Sequence, residues 1–502
     1  MSAQIVTREQ VYAPDQDAAA RSVELAYVAV VGVVLLLMML FGLTMRAAQA
    51  QYIDVRPGLF YVLLTMHGAG MVGITGLAGA VVMWHFARRH VPVSTAVFLA
   101  NLVFFLVGAL LILGSGFIGG FAAAWTFLYP LPAHSQSVWS ANAAAAYMLG
   151  LLVIGVGFLL LHLDIARGIM RVYGSLANGI GFRQAFGLAP EDTGPPPAVA
   201  AATMVSIVNI LGIVFGAVVL ILSLVYLYVP SFTMSALVAK NLIYFFGHVF
   251  INATIYMAVI AVYEILPLYA HRAWKANRIF YLAWVASTLM VLTVYPHHLL
   301  MDFAMPTWAL VLGQIISYLS GLPVLLVTAF GTLTVVYRSG LRWDVPSGLL
   351  FVGVLGWAAG VIPAIADGTI AVNSVMHNTQ WVPGHFHTYL LLGMVAMFLG
   401  FMTWIGKEQP SDIIGVEPTA FWLYLIGGTI FVLAFLAAGA ASVPRRYAVH
   451  LPEWLAYDRA GTLGAVLVVA GVGVMVIQFL ARLPALARVP EGVARPSEAP
   501  AE

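Results

Sequence analysis

Long apolar stretches recur along the whole chain, and short polar segments separate them. Each stretch has roughly 20 residues or more, the length that an α-helix needs to cross a bilayer. The alternation typical of half-buried strands does not compete with this helical pattern. We therefore predict an all-α polytopic membrane protein with about twelve transmembrane helices, called spans 1 to 12 in chain order: 23–45, 58–86, 95–121, 138–163, 201–229, 238–268, 276–301, 305–337, 347–367, 380–406, 418–440 and 461–482.

Polar segments flank a single predicted domain. Residues 1–22 are polar, and the apolar stretch that follows is too long for the apolar part of a signal peptide. Residues 488–502 are rich in Pro, Ala and Glu, which is typical of a flexible tail. We predict a cytoplasmic tail over 1–22, one membrane domain over 23–487, a flexible tail over 488–502, and a surface loop over about 164–200.

Composition and charge exclude several classes of function. The chain is 62% hydrophobic and 8% charged, against about 25% charged residues in soluble proteins. The net charge of +2 offers no basic surface for nucleic acid. With the N-terminus inside, 16 of the 22 lysines and arginines lie on the inner side, as the positive-inside rule requires. The chain has no cysteine, which excludes disulfides, thiolate metal sites, iron–sulfur clusters and covalent haem c within it.

The 13 histidines fall into two groups. Seven lie at predicted helix ends or in loops, where they would be solvated or interfacial: His85, His90, His134, His162, His271, His377 and His450. Six lie within spans, all toward the outer side: His67, His248, His297, His298, His385 and His387. Ionisable residues inside spans are costly and usually functional. Neutral imidazole binds copper, iron and zinc well, so these six are candidate metal ligands.

The geometry of span 10 and span 7 refines this hypothesis. His385 and His387 lie two residues apart, about 200° around a helix axis, so one helix can present ligands to two centres. His297 and His298 are adjacent and diverge by about 100° on a regular helix. They converge on one ion only where the helix breaks locally, and Pro296 favours such a break.

The sequences around these histidines resemble the catalytic subunit of the haem–copper oxidase superfamily. The matching motifs are TMHGAGM around His67, FFGH ending at His248, YPHHLL around His297 and His298, HNTQWVPGHFH ending at His387, and VPRRY containing Arg445 and Arg446. The resemblance covers nearly the whole chain, and the span-10 motif is most similar to the B-family oxygen reductases. It implies the subunit I fold, in a multi-pass protein of a prokaryotic inner (plasma) membrane.

The resemblance also implies a role for each matching residue. His67 and His387 would ligate a low-spin haem of type b, and His385 a high-spin haem. His248, His297 and His298 would hold a second metal, copper or iron, facing the high-spin haem. Arg445 and Arg446 would pair with haem propionates, as guanidinium–carboxylate geometry favours. An anchor in the lipid headgroups is the alternative for this arginine pair.

One departure from the oxidases bears on the substrate. In A- and B-family oxidases a tyrosine follows the first metal-ligand histidine by four residues, and here that position is Asn252. The C-family position, six residues before the paired histidines, is Val291. The tyrosine supplies the fourth electron for splitting O2, whereas coupling two NO molecules takes only two electrons. We therefore expect an NO reductase, with O2 reduction to water and proton translocation as the alternative.

Other positions leave the assignment open. Asn252 would bind weakly to the metal or hydrogen-bond an intermediate, or it would join two helices. Tyr256, with Tyr295 and Tyr318 nearby in sequence, is a possible replacement for the tyrosine, although none has the family's spacing. The glutamates typical of A-family proton pumps and of cytochrome c-dependent NO reductases correspond to Phe250 and Ser320 here.

Proton supply has two candidate routes. An inner route would use polar residues of spans 6 and 8: Thr254, Tyr263, Glu264, Ser317 and Ser320. Tyr263 is otherwise an interfacial aromatic residue, and Glu264 a partner for Arg272. An outer route would use Asp302, which alternatively orients a ligand histidine.

The predicted partners follow from the same reasoning. Electrons would come from a cupredoxin-like or cytochrome c subunit, or directly from quinol, because the chain has no cysteine for a dinuclear copper site. The other predicted partners are membrane lipid and the gaseous substrate, NO or O2. A transporter with structural histidines is the alternative class, and it gives no reason for the HxH and HH pairs.

Overall fold

The computed structural model describes residues 18–126, 134–135, 137–229, 231–407 and 417–488. Within these ranges twelve helical segments are long and apolar enough to cross a membrane, as predicted: Ala18–Gln49, Pro57–Ala87, Thr95–Phe117, Ala141–Tyr173, Pro197–Tyr228, Ala236–Ala270, Arg278–Leu299, Thr307–Val336, Val345–Asp367, Trp381–Ile405, Glu417–Ala440 and Pro452–Leu486. The predicted tails fall largely outside the described residues, and the orientation in the membrane stays a prediction.

Three spans depart from regular α-helix, and each departure has a local cause. In span 7 the α-helix Arg278–Thr293 gives way to a 3-10 segment, Tyr295–Leu299, with Pro296 in its first turn, because proline cannot donate a backbone hydrogen bond. Span 8 is two helices that meet at Gly321. Span 10 contains a π-helical segment, Leu390–Val395, a feature frequent at functional sites.

Spans 2, 6 and 10 form the centre of the molecule. Their most apolar windows are 72%, 83% and 89% buried, more than those of any other candidate span. Four of the six candidate ligand histidines lie on these three spans, and the other two lie on span 7. Spans 2, 6 and 10 are therefore surrounded by less buried helices that can face lipid.

Glycines allow span 10 to approach its neighbours closely. A Cβ added at Gly356 in span 9 would lie 2.2 Å from the carbonyl oxygen of Leu392. A Cβ at Gly439 in span 11 would lie 2.1 Å from the backbone nitrogen of Trp381. Both contacts are shorter than non-bonded atoms tolerate. Span 10 therefore packs closely against span 11 at its start and against span 9 in its middle.

Two predictions need correction. The stretch predicted as a surface loop over 164–200 continues the helix of span 4 to Tyr173 and then forms short helices at Leu176–Gly179 and Phe182–Ala185. Three histidines predicted to be solvated or interfacial are buried: His85, His162 and His450. Each has a polar partner, because a buried polar group is costly unless it is hydrogen-bonded: Glu24, Asn209 and Asp458 respectively.

Candidate metal and haem site

A single cavity of about 740 Å³ connects the candidate ligands. Binding sites for small molecules and cofactors typically have volumes of about 300–1,000 Å³. All six of the span histidines line this cavity, together with Asn252, Arg445 and Arg446. The fold therefore brings together residues from spans 2, 6, 7 and 10 and from the loop after span 11 that are up to 379 positions apart, from His67 to Arg446.

His67 and His387 face each other as an opposed pair. Their ring centroids are 6.3 Å apart and their planes differ by 18°. The Nδ1 atom of His67 donates to the carbonyl of Met38, and that of His387 to the carbonyl of Pro383, each at 2.7 Å. A neutral imidazole has one N–H, so each ring keeps a lone pair on Nε2.

His385 is held in the same manner on the other side of span 10. Its Nδ1 atom donates to the carbonyl of Gly360 at 3.2 Å, which leaves Nε2 as the free ligand atom. The three candidate haem ligands thus share one arrangement: a backbone carbonyl fixes the tautomer and the ring orientation, as is usual for metal-bound histidines.

His248, His297 and His298 form a compact cluster. One ligand atom from each residue lies within 4.8 Å of the others. His248 Nδ1 is 3.0 Å from His298 Nε2, which is 3.2 Å from His297 Nε2. Three imidazole nitrogens at this spacing suit one copper, iron or zinc ion with bonds of about 2 Å. The predicted break in span 7 is present and places the adjacent rings on the same side.

Asn252 contacts the first of these ligands. Its amide nitrogen is 2.7 Å from His248 Nε2 and donates to the His248 carbonyl at 3.0 Å. The contact is on the ring nitrogen opposite the one that faces the cluster. Asn252 thus contacts His248 on the side of the ring that faces away from the cluster, and it also lines the cavity.

One edge of the cavity is basic. Arg445 and Arg446 both line it, as does His377. Burial lowers the pKa of Arg445 to about 10, with the neighbouring Arg446 adding to the effect. Burial, followed by the two arginines, lowers the pKa of His377 to about 4. Guanidinium groups pair favourably with carboxylates, which the two propionates of a haem would provide.

Two tyrosines lie beside the ligand histidines. The ring of Tyr244 stacks on that of His298 with centroids 5.4 Å apart and planes 15° apart. Tyr389 lies 6.3 Å from His385, ring to ring. Tyr256, the predicted replacement, instead packs between Trp284 and Trp357 and is not among the residues that line the cavity.

The inner tyrosines of span 6 have polar partners. The hydroxyls of Tyr263 and Thr328 are hydrogen-bonded at 2.6 Å. The hydroxyl of Tyr256 is buried beside that of Ser287. Tyr256 also interacts electrostatically with Tyr263 and with Tyr389, and Tyr389 lines the cavity.

The remaining predicted proton residues are distributed differently. Ser317 and Ser320 line the cavity. Thr254 donates to the carbonyl of its own helix at Ile251. Glu264 interacts electrostatically with Arg89, and Arg272, its expected partner, donates to backbone carbonyls that include that of Arg338.

Asp302 forms an ion pair on the outer side of the cluster. One of its carboxylate oxygens accepts from Lys240 at 2.7 Å. Burial raises its pKa, but the hydrogen bonds from Lys240 and from the backbone of Ala304 outweigh that effect and leave the pKa below its ordinary value. The pairing with Lys240 takes the place of the predicted alternative contact with a ligand histidine.

Sequence reasoning missed a buried ionic cluster near the His67–His387 pair. Arg46, in the last turn of span 1, is 3% exposed and lines the cavity. It pairs with Asp458 at 3.0 Å, and Asp458 also accepts from His450 at 2.7 Å. The available indication was a charged residue at the end of an apolar span, which is costly unless it is paired.

The residues present fit the cofactors that the family resemblance implies. The opposed His67–His387 pair, the separately held His385 and the three-histidine cluster provide ligands for two haems and one further metal. Arg445 and Arg446 at the cavity edge provide countercharge for carboxylates. Copper and iron both suit imidazole ligands, so the donor set does not distinguish them.

Comparisons with known proteins agree with this geometry. Residues 22–471 match the family described as cytochrome c and quinol oxidase polypeptide I. Cytochrome c oxidase subunit 1 of Thermus thermophilus is 27% identical over 266 residues, which is 49% of this chain and 47% of that protein. Quinol oxidase subunit 1 of Bacillus subtilis is 25% identical, over 87% of this chain and 67% of that protein.

The similarity extends to an archaeal relative and to a solved fold. Cytochrome c oxidase polypeptide 1 of Halobacterium salinarum is 25% identical, over 85% of this chain and 71% of that protein. A cryo-EM structure of a haem–copper terminal oxidase dimer shares the fold with a TM-score of 0.77, at 21% identity, over 94% of this chain and 84% of that one. The chain therefore belongs to the cytochrome c and quinol oxidase polypeptide I family.

Proposed function

We propose that this chain is the catalytic subunit of a membrane-bound respiratory reductase that converts nitric oxide to nitrous oxide. The reaction is 2 NO + 2 e⁻ + 2 H⁺ → N2O + H2O. A nitrogen–nitrogen bond forms, one nitrogen–oxygen bond breaks, and the released oxygen leaves as water. The electrons come from a cupredoxin-like subunit, a cytochrome c subunit or quinol.

The observation that carries the proposal is the side chain behind His248. Asn252 contacts His248 Nε2 at 2.7 Å, at the position where the related oxidases have a tyrosine. An amide is not readily oxidised, so it does not supply the extra electron that one-step O2 cleavage requires. NO coupling needs only two electrons and has no such requirement.

The chain's own residues bind and orient the reacting groups. Two haems and a third metal, when bound, supply electron transfer and the Lewis acid that binds the gas. His67 and His387 would hold one haem, and His385 would hold the other. His248, His297 and His298 would hold the further metal. Arg445 and Arg446 would neutralise propionates.

Protons are proposed to reach the site from the inner side. The hydrogen-bonded pair of Tyr263 and Thr328 begins the route. Tyr256, whose hydroxyl lies beside that of Ser287, would continue it toward Tyr389 at the cavity wall. Water-filled polar routes of this kind are expected wherever a buried reaction consumes protons.

Oxygen reduction is the second candidate, and one observation favours it. The ring of Tyr244 lies parallel to that of His298 at 5.4 Å, so an oxidisable side chain does adjoin a metal ligand. The relatives are also named as cytochrome c or quinol oxidases. In this case Tyr244 would supply the fourth electron.

Gas consumption by the purified complex tests the choice. With an excess of reductant we expect sustained NO consumption on an NO electrode, one N2O for every two NO by gas chromatography, and slow O2 uptake. Rapid O2 uptake with negligible N2O would reject the proposal, and its loss in Tyr244→Phe would assign the electron donor. Variant His298→Ala serves as the control that lacks a metal ligand.

A further inference from the structure

A buried ion pair at the cavity wall has no part in the proposed reaction. Arg46 pairs with Asp458 at 3.0 Å, and the two side chains are 4% and 0% exposed. Such a pair adds little net stability, because both charges lose their water on burial. Arg46 lines the cavity, whereas Asp458 does not. The pair is therefore oriented, with its positive end toward the site.

The ring of Phe435 contacts both Arg46 and His387. The guanidinium carbon of Arg46 lies 4.5 Å from the centre of this ring. The ring stacks on that of His387, with centroids 5.4 Å and planes 8° apart. These contacts place the guanidinium within about 10 Å of the His387 ring centre. A charge at this distance inside a protein is screened much less than in bulk water, so it acts on a metal centre bound by His387.

Several contacts fix the guanidinium of Arg46 in this position. Its Nη1 atom donates to the side-chain oxygen of Gln49 at 2.7 Å and to that of Gln380 at 3.4 Å. Both of these partners are neutral amides. Asp458 supplies the negative charge, and its second carboxylate oxygen accepts from His450 at 2.7 Å. Asp458 is thus the charged group that holds the cation in place.

We propose that this ion pair sets the reduction potential of the haem that His67 and His387 would hold, with Arg46 favouring the reduced form and Asp458 opposing it. Reduction removes one positive charge from a haem iron, so a nearby cation stabilises the reduced state. A unit charge about 10 Å away, at an effective dielectric constant of about 20, shifts this equilibrium by about tenfold. The inference rests on the haem-binding part of the proposed function and not on the choice of gas.

Three substitutions separate the charges from the packing. Arg46→Gln removes the cation, Arg46→Lys keeps it, and Asp458→Asn removes the anion with little change in shape. The matched control is Lys407→Gln. Lys407 belongs to another buried ion pair, with Asp344 at 2.7 Å, and neither of these two residues lines the cavity.

The experiment is a redox titration of each purified complex, followed by the absorbance of the low-spin haem. At a fixed potential we expect Arg46→Gln to lower the ratio of reduced to oxidised haem by about tenfold, which is a midpoint about 59 mV more negative for one electron. Asp458→Asn should raise the ratio by a smaller factor, because Asp458 does not line the cavity. Arg46→Lys and Lys407→Gln should titrate like wild type.

Shifts of opposite sign are the distinguishing result, because a purely structural role would not reverse the shift between the two partners. If Arg46→Gln does not assemble, the double variant Arg46→Gln/Asp458→Asn replaces it, and its ratio should lie about tenfold below that of Asp458→Asn. The inference is overturned if removal of the cation leaves the titration like that of Lys407→Gln, or if Asp458→Asn does not shift in the opposite direction. Absence of a low-spin haem from the wild-type complex would instead reject the haem-binding part of the proposed function.

Discussion

The facing rings of His67 and His387 lead to the prediction that one haem can be removed without the other. The pair is opposed at 6.3 Å, whereas His385 points to the other side of span 10 and is held by the Gly360 carbonyl. Replacement of His67 by alanine should therefore remove the low-spin haem alone, so that haem per chain falls by about half. Pyridine haemochrome analysis and a reduced-minus-oxidised spectrum measure both the amount and the type that remains.

A buried histidine away from the cavity provides the control. His162 is fully buried against Asn209, so His162→Ala should lower stability without lowering the haem content of the folded protein. Loss of both haems in His67→Ala, or of neither, would contradict the assignment of this pair.

At this scale the sequence predicted the candidate ligands but not their surroundings. The number, spacing and depth of the histidines within the spans predicted the six that are candidate ligands, and all six line the cavity. Arg46, Tyr244 and His377 also line it and were not predicted. Their positions depend on how side chains from different helices meet, which hydrophobic periodicity does not specify.

The packing of span 10 against span 9 leads to a prediction about stability. Gly356→Ala would place a methyl group 2.2 Å from the Leu392 carbonyl, next to the π-helical segment. The overpacking should cost about 1–3 kcal/mol and shift His385 relative to the metal cluster. Thermal denaturation, followed by haem absorbance, should show a lower Tm and an altered high-spin spectrum.

Gly114 in span 3 provides the matched substitution. A Cβ at Gly114 would meet nothing within 4 Å, so Gly114→Ala should be neutral or gain up to about 1 kcal/mol from its better helix propensity. Equal effects at the two glycines would show that the close approach of spans 9 and 10 does not matter for the site.

The spans and the break in span 7 were predicted from the sequence, but the π-helical segment in span 10 was not. Every predicted span corresponds to a helical segment, because a bilayer-length apolar stretch is a strong local pattern. The break before His297 was predicted from Pro296, whose effect is also local. The π-helical segment at Leu390–Val395 was not predicted, because it depends on contacts with the neighbouring spans.

For the whole molecule, the distribution of polar groups predicts the side from which protons are taken. The proposed inner route runs from the Tyr263–Thr328 hydrogen bond past Tyr256 to Tyr389 at the cavity wall. On the outer side Asp302 is held by Lys240, and its lowered pKa keeps it ionised and poorly suited to pass on a proton near neutral pH. The charge asymmetry of the loops predicts that the inner path opens to the cytoplasm.

Vesicles containing the complex and a trapped pH indicator distinguish the two sides. When a membrane-impermeant electron donor and NO are added outside, we expect the lumen to become alkaline as N2O forms.

Tyr263→Phe removes the hydroxyl bonded to Thr328 and should slow turnover by about 100-fold, the lower end of what a positioned proton-transfer group contributes. Asp302→Asn removes only a partly exposed ion pair, worth about 0–1 kcal/mol, and should leave turnover near the wild-type rate. The opposite result would be alkalinisation of the outer solution, slow turnover in Asp302→Asn and normal turnover in Tyr263→Phe. This result would place proton uptake at the outer face. Turnover would then generate no membrane potential if the electrons also arrive from that side.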